Sequence, residues 1–231
     1  MNTISRYAQD FFSLFFPEVC SGCGKNLLGN ESVICTDCIY HLPYTNFHLD
    51  SNNRVARQLW GRVPFLFSSA YVYFHKGSRV QNLMHGLKYN NKPEVAYKLG
   101  ELYGSELKEA EAIKYADTII PVPLHPARQK KRGYNQSEHF AHGLGKSMKI
   151  PVNLNLKRNI FTQTQTKKSR FVRYENMKGV FSIDNSSSLE NKHILLVDDV
   201  LTTGATLEAC ALELLKIKGV QISIATIAFT N

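Results

Sequence analysis

Two adjacent carboxylates, Asp198 and Asp199, stand directly after the apolar run Ile194 to Val197 and directly before Val200, Leu201, Thr202, Thr203, Gly204, Ala205 and Thr206. A continuously apolar run of this kind reads as a strand buried on both faces, and open α/β sheets bind ligands at the carboxyl edge of their strands. Thr202, Thr203, Gly204, Ala205 and Thr206 can wrap a phosphate with backbone N–H groups and hydroxyls. The positive end of the helix that follows adds attraction. Carboxylates beside a phosphate repel it, so Asp198 and Asp199 must address something else close by, and ribose hydroxyls fit. The segment describes a ribose 5-phosphate site.

A second constellation is Cys20-x-x-Cys23 and Cys35-x-x-Cys38, with eleven residues between the pairs and Gly22 and Gly24 in the first knuckle. This is zinc-ribbon spacing. Each two-residue gap lets two thiolates converge on one ion, and four thiolates close a tetrahedral site with no position left for water, so a Zn2+ held there is structural. Clustering of this kind in a chain read as cytosolic argues for metal over disulfides. So small a module has little core, and much of its folding free energy would come from the metal. The fifth cysteine, Cys210, lies between Ala209 and Ala211 in a helical pattern and reads as a core thiol.

Two basic segments complete the set. One runs from Pro121 through Arg128, Lys130, Lys131 and Arg132 to Gln136. The other carries Arg158, Thr162, Gln163, Thr164, Gln165, Arg170, Arg173, Asn176, Gly179 and Phe181.

The acidic pair with its loop resembles the phosphoribosyl pyrophosphate signature of type I phosphoribosyltransferases. The resemblance implies that Asp198 and Asp199 hold the ribose hydroxyls and that Thr202 to Thr206 hold the 5′-phosphate. The Pro121 to Gln136 segment takes the place of the pyrophosphate loop, and the second basic segment that of the mobile catalytic loop. Arg128, Arg132, Arg170 and Arg173 are then the expected pyrophosphate contacts, with Mg2+ held mainly by the ligand's own oxygens. These motifs behind a four-cysteine ribbon resemble the ComF family over nearly the whole chain, from Leu14 to Phe229. The most specific matches are Phe16-Pro17 with Cys20 to Cys38, Gly86-Leu87-Lys88-Tyr89, Arg132 to Gln136, Thr164 to Phe181 and the Asp198-Asp199 loop. That family implies a zinc finger and a role in bringing single-stranded DNA into the cytosol during natural transformation, with the DNA-uptake machinery as partner. It implies no assigned reaction. The alternative is transfer of phosphoribose to a small nitrogen nucleophile or nucleobase. Amidophosphoribosyltransferases carry a glutaminase domain with an N-terminal cysteine nucleophile, which this sequence lacks, and that enzyme is not expected.

The elements that must position these residues can be read from periodicity. Phe65 to Phe74 is rich in aromatic and β-branched residues and predicts a strand or hairpin after a polar stretch, Asn46 to Arg57. Val80, Leu83, Met84 and Leu87 predict a helix, as does Val95 to Leu107. Asp117 to Val122 predicts a short strand, followed by a basic loop and a helix from Asn135 to Met148. Val152 to Leu156, Val180 to Ile183, His193 to Val197 and Val220 to Phe229 predict further strands, with a helix over Thr203 to Lys218 ended by Gly219. Strands alternating with helices indicate a mostly parallel α/β sheet, here of type I phosphoribosyltransferase kind. The expected division is residues 1–45, an N-terminal helix and ribbon, and residues 60–231, the phosphoribosyltransferase-like domain.

The 231 residues, 43% apolar and 20% charged, suffice for one full domain and an appendage and exclude wholesale disorder. Twenty-eight basic against nineteen acidic residues leave a formal charge of +9, which favours an anionic partner. No apolar run approaches the ~20 residues of a membrane span, and Phe11 to Phe16 stops at Pro17 without a cleavage pattern. The expected location is the cytoplasm, with peripheral contact at the inner membrane as the alternative. Gly145-Lys146-Ser147 lacks the upstream glycine of a nucleotide loop, and His139 with His142 lacks a third ligand.

Overall fold

The computed structural model describes residues 17–159 and 180–230. The expected N-terminal helix, and the Thr162 to Gly179 stretch with Arg170 and Arg173, lie outside the described residues.

Two short helices, α1 (Thr36–Tyr40) and α2 (Arg54–Leu59), precede the sheet. Asn53 caps α2, its Oδ1 accepting from Ala56 N at 3.0 Å. The same side chain is buried, and its amide donates to the carbonyls of Phe47, Asp50 and Ser68. One asparagine thus fastens the stretch read as polar onto strand β1 (Phe67–Phe74), and Phe47, Val55, Ala56 and Leu59 of that stretch and its continuation are buried.

Helices α3 (Arg79–Tyr89) and α4 (Pro93–Leu107) follow, then strand β2 (Thr118–Pro121). The basic run expected as a loop is instead helix α5 (Pro126–Arg132). Pro126 supplies a preset first-turn φ, the His125 side chain caps the end, and lysine and arginine are good helix formers. Gly133, at φ +87°, ends it. Helix α6 (Gln136–Met148) is capped by Asn135.

The expected strand over Val152 to Leu156 is reduced to a single bridge, Ile119 to Val152. Leu156–Arg158 forms strand β3 instead, antiparallel to β4 (Phe181–Ile183) and apart from the main sheet. Strand β5 (His193–Leu201) runs four residues past its expected end, through both carboxylates. Helix α7 (Ala205–Leu214) is shorter than expected, and β6 (Gln221–Thr230) completes the sheet.

The main sheet has the order β1-β6-β5-β2, and every pairing in it is parallel. Side chains alternate across it. Leu195, Val197, Ala225 and Ile227 pack with α3, α4, α6 and the cysteine ribbon, while Ile194, Leu196, Ile222 and Ile224 pack with α2, α7 and the β3-β4 pair. Helices α4 and α6 meet backbone to backbone, since a Cβ on Gly143 would lie 2.1 Å from Tyr97 O and one on Gly100 2.4 Å from Phe140 O. Among the described residues no helix is long and apolar enough to cross a membrane.

Candidate functional site

Because β5 continues through Asp198 and Asp199, the two carboxylates obey strand alternation and leave opposite faces of the sheet. Asp199 goes to the side of α3, where Lys88 Nζ meets its Oδ2 at 3.0 Å. Asp198 leaves the other face and is only partly buried. Its Oδ1 accepts from Ser137 Oγ at 2.9 Å, in the first turn of α6, and from Asp199 N at 2.8 Å. Burial, with the neighbouring Asp199 charge second, raises its pKa to about 7. The pair is chemically split, one carboxylate ion-paired and the other close to holding a proton at neutral pH.

The loop that follows is held from below by the segment after the polar stretch. Gln58 Nε2 donates to Thr202 O. Arg62 Nη1 donates to Thr203 O at 2.7 Å, while its Nε and Nη2 reach Glu208 Oε2 in the first turn of α7 at 3.0 and 2.5 Å. Gly204 has φ +74°, and a Cβ there would lie 2.8 Å from Leu59 Cδ2. Only glycine suits both the backbone and the space. Thr203 Oγ1 accepts from Ala205 N at 3.4 Å, and the amide groups of the first α7 turn face the same edge as the acidic pair.

Of the basic candidates, Arg128 and Arg132 lie on α5, after β2 and beside β5 in the sheet order. Arg158, on β3, is half-buried with its guanidinium 5.4 Å from the Phe181 ring centroid. Its Nε has no hydrogen-bond partner among the described residues. Burial lowers its pKa, Arg128 pushes the same way, and Cys210 and Asp198 oppose. Arg158, Arg128 and Asp198 therefore share one electrostatic neighbourhood, whereas Arg170 and Arg173 fall outside the described residues. Lys88, Ser137, Gln58 and Arg62 were not among the expected site residues. Lys88 lies inside a quoted family motif, but no local pattern marks the other three.

Against α3, the ligating atoms of Cys20, Cys23, Cys35 and Cys38 all lie within 4.8 Å of one another. Cys23 Sγ and Cys35 Sγ are 3.8 Å apart. That is far beyond a disulfide bond and matches the edge of a tetrahedron with metal–sulfur bonds of about 2.3 Å. Backbone N–H groups of Gly22 and Cys35 donate to Cys20 Sγ at 3.3 and 3.2 Å, and Cys38 N donates to Cys35 Sγ at 3.4 Å. Burial raises the Cys20 thiol, but these donors outweigh it and bring the pKa to about 7. A Cβ on Gly22 would lie 3.0 Å from Cys38 Sγ, so any larger residue there would crowd a ligand sulfur. The donor set and spacing fit a structural Zn2+. His139 and His142 find no third ligand among the described residues.

Residues 121–231 match the model of the phosphoribosyl transferase domain. Competence protein F of Haemophilus influenzae is 31% identical over 209 residues, covering 88% of this chain and 86% of that protein. DNA utilization protein YhgH of Shigella flexneri is 28% identical over 203 residues, covering 86% and 84%. Competence protein ComFC of Bacillus subtilis is 27% identical over 209 residues, covering 90% and 75%.

Proposed function

This chain belongs to the ComF family, with competence protein F and ComFC, and carries a phosphoribosyl transferase domain, and on that premise we propose that it binds phosphoribosyl pyrophosphate at the edge of β5 and serves the import of single-stranded DNA. The observation that carries the ligand assignment is the split acidic pair above a glycine-tight loop. Asp198 and Asp199 present acceptors to ribose hydroxyls from two sides, and Thr202 to Thr206 offer hydroxyls and helix-end N–H groups to the 5′-phosphate. Arg128, Arg132 and Arg158 supply positive charge on the β2 side, where the pyrophosphate would lie, with Arg170 and Arg173 assigned by the family pattern alone. Mg2+, held mainly by the ligand's own oxygens, would neutralise charge there. The four cysteines hold Zn2+ as a structural ion. DNA as partner is supported by the +9 charge and by the name of the DNA utilization protein, and its single-stranded form is taken from the family resemblance.

The deciding experiment is calorimetry of the intact chain with phosphoribosyl pyrophosphate and Mg2+, against Asp198→Asn with Asp199→Asn. The double variant puts donors where acceptors are needed and removes the negative charge of the pair, so binding should vanish with the fold intact. Equal affinity in the variant would sink the assignment.

The pKa of Asp198 favours a second reading, transfer of phosphoribose to a small nitrogen nucleophile. A carboxyl near neutrality can take up or release a proton as the C1–N bond forms and the C1–O bond to pyrophosphate breaks, its electron pair leaving with the pyrophosphate. Pyrophosphate release with a panel of nucleobases, ammonia and single-stranded DNA separates the two readings.

A further inference from the structure

A cleft of about 550 Å3 is lined by α2, the loop after β5 and the carboxyl end of β6. Arg54, Arg57 and Gln58 line it from α2, Thr202 and Thr203 from the loop, and Phe229 and Thr230 from β6. None of these is a carboxylate, so the cleft selects an anion. The Arg54 guanidinium lies 5.6 Å from the Phe229 ring centroid, which steadies it against an aromatic face. Arg57 Nε donates to Asn52 Oδ1 at 3.1 Å, which fixes the plane of its fork. Both arginines are exposed.

The next residue at the same spacing is Trp60, with 74% of its surface exposed. Arg54 and Arg57 stand three residues apart on α2, the interval that brings side chains of one helix face about 5–6 Å apart, and Trp60, the residue that ends the helix, follows at the same step just outside the cleft. Two cations followed by a bare indole make a rail rather than an enclosed pocket. Small-molecule acceptors are usually buried on most sides, and this cleft is open along α2. Guanidinium groups that track a backbone, with an aromatic plane that takes a base, are the elements by which single strands are held without sequence preference.

We infer that the α2 rail is the single-strand contact surface of this protein: Arg54 and Arg57 on consecutive backbone phosphates, Trp60 stacked on a base. This deepens the DNA reading given above and rests on it. The placement has a mechanical corollary. Gln58 of α2 and Arg62 just beyond it hold the carbonyls of Thr202 and Thr203, so a strand lying on α2 bears on the helix that supports the phosphate loop.

The test is fluorescence anisotropy of a labelled twenty-residue oligothymidylate with the full chain over a range of salt. Calorimetry with phosphoribosyl pyrophosphate and a thermal melt are run on every variant. Arg54→Gln with Arg57→Gln should weaken strand binding about tenfold or more and reduce the log–log salt slope by about 1.4, two phosphates at about 0.7 each. Trp60→Ala should weaken binding without changing the slope. Both variants should retain the affinity for phosphoribosyl pyrophosphate. Unchanged strand binding in the α2 variants overturns the placement alone, as does loss confined to Lys130→Gln with Lys131→Gln on α5. Absence of strand binding by the wild type at low salt overturns the DNA reading and the placement together. If the arginine variant keeps the strand but loses pyrophosphate release with a small acceptor, the cleft is an acceptor pocket and the inference is wrong.

Discussion

Lys88 Nζ lies 3.0 Å from Asp199 Oδ2, which ties the last turn of α3 to the end of β5. The first half of the same helix is bonded to the ribbon. Asn82 Nδ2 donates to Gly22 O at 2.8 Å, and Arg79 pairs with Asp37 at 3.0 Å. A single eleven-residue helix therefore touches both the four-cysteine cluster and the acidic pair.

Replacing Lys88 with Met should move the pH dependence of ligand binding. Lys88 is one of the groups that hold the Asp198 pKa down, and without it Asp199 keeps an uncompensated charge beside Asp198. The pH of half-maximal affinity for phosphoribosyl pyrophosphate should rise relative to wild type. A calorimetric pH series on both proteins cancels the ligand's own titration. Superimposable profiles would show that the pair does not tune the site.

Asp198 also sets opposite pH slopes for stability and binding. Its native pKa of about 7 lies above the unfolded value near 3.9, so the native state binds the proton more tightly. That contribution to stability is fully present below about pH 4 and is lost as pH rises through about 7. Ribose binding needs the carboxylate, so affinity should climb over the upper part of the same window. Asp198→Asn should flatten this component of the stability profile. A thermal-melt series from pH 5 to 8 that has the same slope in both proteins would refute the assignment.

Gly204→Ala should destabilise the protein and weaken ligand binding together. The left-handed backbone alone costs about 1–2 kcal/mol for a residue with a Cβ, and the added methyl would lie 2.8 Å from Leu59 Cδ2. Urea unfolding gives the first effect and calorimetry the second. A variant of wild-type stability and affinity would mean that the loop does not need the conformation described.

Elemental analysis of reductively purified protein should give one zinc per chain. Cys35→Ser should lose it, because three thiolates hold zinc far less well than four. A ratio near zero in a normally folded wild type would falsify the metal assignment. Chelation should lower the melting temperature of wild type and leave the Cys35→Ser variant unmoved.

Local pattern sufficed for most elements. Buried positions such as Val80, Leu83, Met84 and Leu87 repeat at helical spacing, and the Ile194 to Val197 run is apolar on both faces. It misled at the strand end, because two aspartates read as an edge while the parallel ladder with β6 carries them along through Asp198 and Thr226. It misled at Asn46 to Arg57, where polar composition hides the work of Asn53, whose three carbonyl partners include one fifteen residues away. The contacts of Lys88, Ser137, Gln58 and Arg62 with the site span 61 to 146 positions where hydrogen bonds record them, and no window of sequence can display such distances. The cysteine cluster was legible because its four sulfurs come from two short local pairs in the chain.

The strand order β1-β6-β5-β2 also bears on how the molecule is made. Phe67 of β1 pairs beside Ser223, near the other end of the described chain, and β1 and β5 are both hydrogen-bonded to β6. On a ribosome, the ribbon and helices α3 and α4 emerge early, but β1, bridged on its other edge only by Tyr44 to Val72, and one edge of β5 stay open until β6 is synthesised. Pairings of such long sequence separation form slowly and leave strand edges open to association meanwhile. The carboxyl edge of the sheet is thus among the last parts to assemble, and a nascent chain stalled before residue 221 would lack the strand that joins β1 to β5.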